Sequence, residues 1–249
     1  MENIIRILSF NLRYSRVAEQ RIQCVLSIIR EALPDVIGVQ EATEKWVEIL
    51  KMMLPDFALI GNSDTADEHG EYTAILVRTD RFDICQWTTR WLTDTPMSPS
   101  VVYRSMRPRT YTCANLRDRA SNRVFYVVNT HFDPLYEETR MVSAAHLCSF
   151  VEALSYPVIV MGDFNLDEAI SDVYRHITVQ YLDDAKYLAK NAYGSETFHK
   201  YRFFSATFDY CFVSRSDFQI EEYRVIDKSI DGIRPSDHNP IVVTLQQMK

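Results

Sequence analysis

The chain has 249 residues, of which 47% are hydrophobic, and its formal net charge is −7 at neutral pH. This length suits one α/β or sandwich domain, so we expect a single catalytic domain over residues 1–249. The acidic charge disfavours a protein that coats nucleic acid, because such proteins present a basic surface. With only 6 Gly and 9 Pro, the chain is not expected to contain long disordered regions.

The five cysteines are odd in number and widely spaced. They predict reduced, mostly buried thiols, and they do not fit a disulfide framework or a zinc site. The N-terminal sequence lacks the basic start and apolar segment of a signal peptide. No apolar run approaches the roughly 20 residues of a membrane helix. We therefore expect a cytoplasmic protein that has no contact with a membrane, and no protein partner is evident.

In the first half of the chain, predicted strands alternate with predicted helices. Apolar spacing indicates a helix over residues 18–32 and a second helix that begins near Thr43, which is expected to cap it. The apolar runs predict strands at residues 4–10, 36–39, 72–77, 82–88, 110–116 and 124–129. We expect the third and fourth of these strands to form one hairpin, and the fifth and sixth to form another.

The second half is predicted to contain a long helix over residues 135–154, a short helix over 183–190, and strands at 158–161, 208–213, 218–225 and 241–245. Two segments lack periodicity. Residues 61–70 are polar and acidic, and residues 93–109 contain three prolines together with Arg104, Arg107 and Arg109. Both segments are too short to link domains, so they are predicted to be loops at the mouth of a site.

Polar side chains stand at the ends of most predicted strands, namely Asn11, Glu41, His131, Asp163, Asn165, Asp209, Asp237 and His238. In an α/β sheet, ligands bind outside the strand ends, so these groups could converge on one cleft. Each has a structural alternative: Asn11 could form a turn, Glu41 could cap a helix, and His131 could be a satisfied core histidine. Together they favour a hydrolytic, metal-assisted site.

Six short motifs carry a family resemblance, and they occur in the order Ser9-Phe10-Asn11, Val39-Gln40-Glu41, Asn129-Thr130-His131-Phe132-Asp133, Gly162-Asp163-Phe164-Asn165, Phe208-Asp209-Tyr210 and Ser236-Asp237-His238. The set resembles the endonuclease/exonuclease/phosphatase superfamily, which includes pancreatic-type deoxyribonucleases, inositol polyphosphate 5-phosphatases and deadenylases. Residues 195–199 are similar to a Gly-Thr-Phe-His stretch of its uncharacterised bacterial metal-dependent hydrolases. The resemblance implies a four-layer α/β sandwich, with two mixed β-sheets packed face to face and helices outside.

The resemblance also implies a ligand set for a metal ion. Glu41 would be the principal Mg²⁺ ligand, with Asn11 and Asp237 beside it, and Mn²⁺ could replace Mg²⁺. Asp163 would orient or deprotonate the attacking water, and Asn165 would hold a phosphate oxygen.

Further roles concern the phosphate and its leaving group. His238 would bind the scissile phosphate, and Asp209 would orient its imidazole. His131 would stabilise the phosphate or protonate the leaving oxygen, with Glu71 as its carboxylate partner. Arg109 falls where some members carry a phosphate-binding arginine. Many relatives also have an arginine just before the motif at Asp209, where this chain has Thr207-Phe208, so no role is carried over for that arginine.

The implied function is Mg²⁺-dependent hydrolysis of a phosphodiester or a phosphomonoester, by direct in-line attack of water on a phosphorylated small molecule or nucleic acid. Two alternatives remain. A DNA-directed nuclease of the repair type is disfavoured by the acidic charge. A non-catalytic binding module is disfavoured by the intact set of polar residues. Trp87 and Trp91 flank the second loop and could stack on a base or a sugar, or could serve packing alone.

Overall fold

The computed structural model of the chain describes residues 4–15, 18–67, 69–200 and 204–248. Its strands are β1 (Ile4–Asn11), β2 (Val36–Ala42), β3 (Phe57–Ile60), β4 (Tyr72–Arg78), β5 (Phe82–Trp91), β6 (Thr110–Asp118), β7 (Val124–His131), β8 (Val158–Asp163), β9 (Leu182–Asp184), β10 (Asn191–Tyr193), β11 (Phe198–Lys200), β12 (Phe204–Ala206), β13 (Asp209–Ser214), β14 (Phe218–Val225) and β15 (Ile241–Gln247). Its helices are α1 (Glu19–Ala32), α2 (Glu44–Met53), α3 (Glu137–Glu152), α4 (Asp172–Gln180) and α5 (Ala185–Leu188).

Most strands belong to two large sheets. The first sheet has the order β10-β14-β15-β1-β2-β4-β3, and the second has the order β5-β6-β7-β8-β13-β9. The pairs β1–β2 and β10–β14 in the first sheet and β7–β8 in the second are parallel, whereas the pairs β1–β15 and β6–β7 are antiparallel. Both sheets are therefore mixed. Strands β11 and β12 form a separate two-stranded ribbon.

The hydrophobic core lies in three layers that match the apolar periodicity of the sequence. Between the sheets, side chains such as Ile7, Ile75 and Ile159 pack together. Outside the first sheet, α1 and α2 bury one face against it, and the Trp46 side chain is fully buried there. Outside the second sheet, α3 and α4 contribute a third cluster that includes Leu147. The predicted four-layer α/β sandwich is confirmed.

One of the two predicted hairpins is confirmed and the other is wrong. Strands β6 and β7 pair in antiparallel register as expected. Strands β4 and β5 lie in different sheets, because β4 is already paired with β2 on one edge and β3 on the other. The turn between them carries Arg81, whose guanidinium contacts Asp35 at 2.6 Å and Asp118 at 3.3 Å, beside the first and second sheet respectively. This ion-pair cluster ties the two sheets together at the crossover.

Other differences concern short elements. Strand β3 and helix α4 were not predicted, and the predicted helix over 183–190 is reduced to α5 because its first residues pair with β13 as strand β9. Thr43 occupies the N-cap position of α2, but its side chain makes no capping hydrogen bond within the described residues. All five cysteines are free, and four of them are buried. No helix in the described ranges is long and apolar enough to cross a membrane.

Asp184 offers a test of how a buried carboxylate affects stability. It caps α5 by accepting the Lys186 backbone N–H, and the Tyr174 hydroxyl donates to it at 2.9 Å. Burial raises the pKa of Asp184 to about 6. The folded protein therefore binds this proton more tightly than the unfolded chain, whose aspartates titrate near pH 4. Hence the free energy of unfolding falls as pH rises from about 4 to about 6.

We expect Asp184→Asn to raise the free energy of unfolding at pH 8 by about 1–3 kcal/mol, and to remove this pH dependence. Asparagine keeps the capping acceptor but carries no charge to desolvate. Urea unfolding at pH 5 and pH 8 measures the effect, with Asp183→Asn, a change at the more exposed neighbouring carboxylate, as control. A variant less stable than the parent at pH 8 would contradict the expectation.

Candidate active site

Most of the predicted site residues line one pocket between the ends of the two sheets, and the other two, Asn11 and Asp209, contact residues that line it. Strands β1 and β2 end near Asn11 and Glu41, and strands β7 and β8 end at His131 and Asp163. Because each pair is parallel, its polar ends lie at the same edge of the sheet. The cavity has a volume of about 790 Å³. Its lining includes Glu41, Glu71, Arg109, His131, Asp163, Asn165, Asp237 and His238.

Local backbone irregularities direct these side chains into the pocket. The β2–β4 register shifts between Val39 and Ala42, and Glu41 inside this bulge has a positive φ of 53°. Such a bulge re-aims a side chain, at the cost of a conformation that non-glycine residues rarely adopt. Gly162 has a φ of 152°, and a Cβ there would lie 2.0 Å from the Thr130 carbonyl oxygen. Only glycine therefore allows β8 to approach β7 directly before Asp163.

Hydrogen bonds between buried polar groups join the two sheets beneath the pocket. The Asn129 side chain of β7 accepts from Gln40 Nε2 at 2.6 Å and donates to the Val39 and Ala74 carbonyls, both at 2.9 Å. Gly38 makes room for it, since a Cβ at Gly38 would lie 2.9 Å from Asn129 Oδ1. These buried hydrogen bonds cross between sheets, so they fix the relative position of Glu41 and His131. The sequence motifs contained Gln40 and Asn129, but gave no sign of this role.

Asp163 lies at the centre of the site. Its Oδ2 accepts from Asn11 Nδ2 at 2.9 Å and lies 3.6 Å from Nε2 of both His131 and His238. Its Oδ1 accepts the Asn165 backbone N–H at 2.9 Å. Burial raises the pKa of Asp163 well above that of an ordinary aspartate, although the His238 imidazolium opposes this shift. A carboxylate with such a pKa suits proton transfer near neutral pH.

His238 is held by Asp209, as predicted. Its Nδ1 lies 2.8 Å from Asp209 Oδ2, and both side chains are buried. Burial alone would lower the pKa of His238, but the carboxylates of Asp209 and Asp163 together raise it well above its usual value. His238 is therefore an imidazolium at neutral pH, with its Nε2 directed toward the pocket.

His131 has a different partner from the one expected. Its Nδ1 lies 3.1 Å from Nη1 of Arg109, a buried guanidinium. Burial lowers the pKa of His131 well below its usual value, and Arg109 adds to this effect, so the ring is neutral. Within the described residues, Arg109 Nε makes no hydrogen bond. Arg109 also lines the pocket, where a guanidinium is suited to bind an anion.

The predicted pairing of Glu71 with His131 is wrong. The Glu71 carboxylate accepts from Arg107 Nη1 at 2.7 Å, and the same guanidinium contacts Asp64 at 2.9 Å. Arg109, which lies directly before strand β6, reaches His131 and occupies the position expected for Glu71. Burial raises the pKa of Glu71 to about 7, against the opposing effect of Arg107. Arg107 thus ties the two predicted mouth loops together.

The donor set fits a hard divalent cation at Glu41. Ligand atoms of Glu41, His131 and Asp163 lie within 4.8 Å of one another. Concentrated carboxylates of this kind suit Mg²⁺, which prefers oxygen ligands. Two predicted ligands are placed otherwise. Asn11 turns its amide nitrogen, not its oxygen, to Glu41 and Asp163, because its Oδ1 accepts the Arg13 backbone N–H. Asp237 lines the pocket and contacts Arg13 at 3.4 Å.

Two further residues support the site, and the similarity of residues 195–199 to the bacterial hydrolases was the only signal for them. The Thr197 hydroxyl accepts the backbone N–H groups of Phe208 and Asp209. The Phe198 ring lies 4.9 Å from the His238 ring. Trp91 serves packing, since it is 9% exposed and donates to the Asp64 carbonyl. Trp87 is 41% exposed and is not among the lining residues.

Comparison with solved structures reveals full-length similarity. An endonuclease/exonuclease/phosphatase from Bacteroides vulgatus is 28% identical, with a TM-score of 0.92 over 99% of this chain and 100% of that one. A mannosyl-6-phosphatase from Bacteroides thetaiotaomicron VPI-5482 is 27% identical, with a TM-score of 0.88 over 97% and 99%. The human Nocturnin catalytic domain shares the fold at 17% identity, with a TM-score of 0.78 over 100% and 96%.

No functionally curated protein matches the chain in sequence. The sequence model of the endonuclease/exonuclease/phosphatase family, however, matches residues 8–238. This range contains every residue that lines the candidate pocket, from Arg13 to His238. Both the sequence match and the fold lead to the same assignment: the chain belongs to the endonuclease/exonuclease/phosphatase family.

Proposed function

We propose that the protein is a Mg²⁺-dependent phosphoester hydrolase that removes a phosphate group from a small phosphorylated molecule. The observation that carries this proposal is the position of Asp163 between two histidines, 3.6 Å from each, in a pocket that also presents Arg109 and Glu41. A buried base beside donors for an anion is what hydrolysis of a phosphate ester requires.

Two positively charged side chains and one neutral amide would bind the phosphate. The imidazolium of His238 and the guanidinium of Arg109 supply positive charge, and the Asn165 side chain lines the same pocket. Mg²⁺ bound through Glu41 would polarise a phosphoryl oxygen and so favour attack at phosphorus. Asn11 would position Glu41 and Asp163 by donating to both, instead of acting as a ligand.

The chain's own residues take part in the proton transfers. Asp163 would accept a proton from the attacking water as the phosphorus–oxygen bond to the leaving group breaks, and the alkoxide that leaves would take up a proton from solvent. His238, held by Asp209, would stabilise negative charge on the phosphoryl oxygens in the transition state. The neutral ring of His131 would hydrogen-bond the phosphate or the leaving oxygen.

A small substrate is favoured over long nucleic acid. The net charge is −7, and the loops that carry Arg107 and Pro134 line the pocket. The structurally similar mannosyl-6-phosphatase is 27% identical to the chain, which supports a sugar phosphate or a comparable monoester. We further propose that the enzyme acts in the cytoplasm and without a protein partner; its five free cysteines are consistent with a reducing compartment.

The test compares four substrates with and without Mg²⁺. We expect metal-dependent release of phosphate from mannose 6-phosphate or p-nitrophenyl phosphate, and loss of release in EDTA. Bis-(p-nitrophenyl) phosphate and a single-stranded oligonucleotide should be cleaved at least about tenfold more slowly, in kcat/KM, because they offer no terminal dianion to Arg109 and His238. Faster cleavage of the oligonucleotide would replace this proposal by a nuclease, and Mn²⁺ should substitute for Mg²⁺ in either case.

A further inference from the structure

A second cavity of about 400 Å³ lies beside the candidate active site. It is lined by Arg13, Ser15, Arg21, His199, Ser229, Gly232, Arg234, Ser236 and Asp237. Arg13 and Asp237 also line the active-site pocket, so the two cavities share a wall. None of the other residues belongs to the machinery proposed above. We call this cavity the arginine pocket.

The arginine pocket concentrates positive charge in an acidic protein. Three guanidinium groups line it, from Arg13, Arg21 and Arg234. Among the lining residues that the structure describes, Asp237 is the one carboxylate, and it contacts Arg13 at 3.4 Å. Arg234 also forms an ion pair with Asp227 at 2.6 Å; Asp227 is not among the lining residues and its side chain is 64% exposed, so this is a surface ion pair of small net energy.

The positive groups are held in place by the surrounding backbone. Arg21 donates from Nε to the Pro235 carbonyl at 2.8 Å, from Nη1 to the Ser15 carbonyl at 3.1 Å and from Nη2 to the Leu12 carbonyl. Its hydrogen bonds are therefore made within the protein, and it contributes positive charge to the cavity wall. Arg234 Nη1 lies 3.3 Å from His199 Nε2. Burial lowers the pKa of Arg21, and the nearby Arg13 adds to this effect. Like charges confined in this way are stabilised by a bound anion.

We propose that the arginine pocket binds a second phosphate group of the substrate, while the first lies beside Asp163. This inference rests on the proposed phosphoester hydrolysis, and it narrows the substrate to molecules with two phosphate groups. Arginine recognises phosphate through paired donors, and the hydroxyl-bearing side chains of Ser15 and Ser229 line the same cavity. Gly232 has no atom within 4 Å of the Cβ position, which leaves space for the anion's oxygens.

Binding can be measured without turnover in the Asp163→Asn background. Isothermal titration with Mg²⁺ compares hexyl phosphate with hexane-1,6-diyl bisphosphate, whose flexible chain can span a range of distances. We expect the bisphosphate to bind at least about tenfold more tightly, the factor that one charge-assisted hydrogen bond provides. Adding Arg234→Gln should remove most of this gain, whereas Arg234→Lys, which keeps the charge, should retain part of it.

A remote arginine serves as the matched control. Arg119→Gln removes the same charge at a site where the side chain is 52% exposed and pairs with Asp83, so it should leave the gain intact. The proposal would be overturned if the parent bound the two ligands with equal affinity. It would also be overturned if Arg119→Gln and Arg234→Gln reduced the affinity advantage of the bisphosphate equally. Hydrolysis of hexyl phosphate by the unmodified protein is a separate measurement, so failure of the catalytic proposal is distinguishable from failure of the arginine pocket.

Discussion

Asp163→Asn is expected to lower kcat by about 10²–10⁴-fold, the range associated with loss of a general base. The substitution preserves the shape of the side chain and the acceptor for the Asn165 N–H. It removes the one carboxylate that lies 3.6 Å from both histidines and accepts from Asn11. The new Nδ2 group would face the Asn11 Nδ2 donor instead of accepting from it, so the variant should still fold but unfold at a somewhat lower temperature than the parent. Steady-state kinetics with saturating Mg²⁺ and thermal unfolding together measure both effects.

Asp167→Asn is a suitable control for this variant. Asp167 lies four residues further along the chain, on the loop that follows β8, where it is exposed, and its carboxylate accepts the backbone N–H of Ala169. Turnover of the control should stay within about threefold of the parent, as for most surface substitutions. If Asp163→Asn had a kcat similar to that of the control, Asp163 would not be the base.

His238→Asn is expected to lower kcat/KM by about 10²–10³-fold, as removal of one transition-state charge partner does elsewhere. The Asn amide nitrogen takes the place of Nδ1 and can still donate to Asp209, so the buried carboxylate keeps a partner. The Nε2 group that faces Asp163 is lost. A thermal unfolding temperature similar to that of the parent, together with the loss of rate, would separate chemistry from folding.

Asp209→Asn should have a smaller effect on rate and a distinctive effect on pH dependence. Asp209 and Asp163 raise the pKa of His238, so loss of Asp209 lowers that pKa. The imidazolium is then lost at a lower pH, and the alkaline limb of the kcat/KM profile should move to lower pH. Since Asp209 acts through His238, the double variant should be no slower than His238→Asn alone. An unchanged pH profile in Asp209→Asn would contradict this coupling.

The strands and the covering helices were largely predictable from local patterns. Continuous apolar runs marked the buried strands, and apolar residues at helical spacing marked α1 and α2. The error at β4 and β5 shows the limit of such reasoning. A short polar turn between two strands looks the same whether the strands pair or pass to different sheets. Two such strands can pair only if each still has an unpaired edge. Whether an edge is unpaired depends on how all the other strands of the fold are arranged.

The candidate site shows the same division. The sequence by itself determined which residues stand at strand ends, and their chemical types predicted a metal-assisted hydrolytic site. Only the tertiary structure decided how they are paired: Glu71 with Arg107, His131 with Arg109, and Asn11 with two carboxylates. It also brought His199 and Arg234 to one cavity, although 35 positions separate them in the chain. Hydrogen bonds and charge interactions depend on distances between side chains, and those distances are set only when the two sheets pack together.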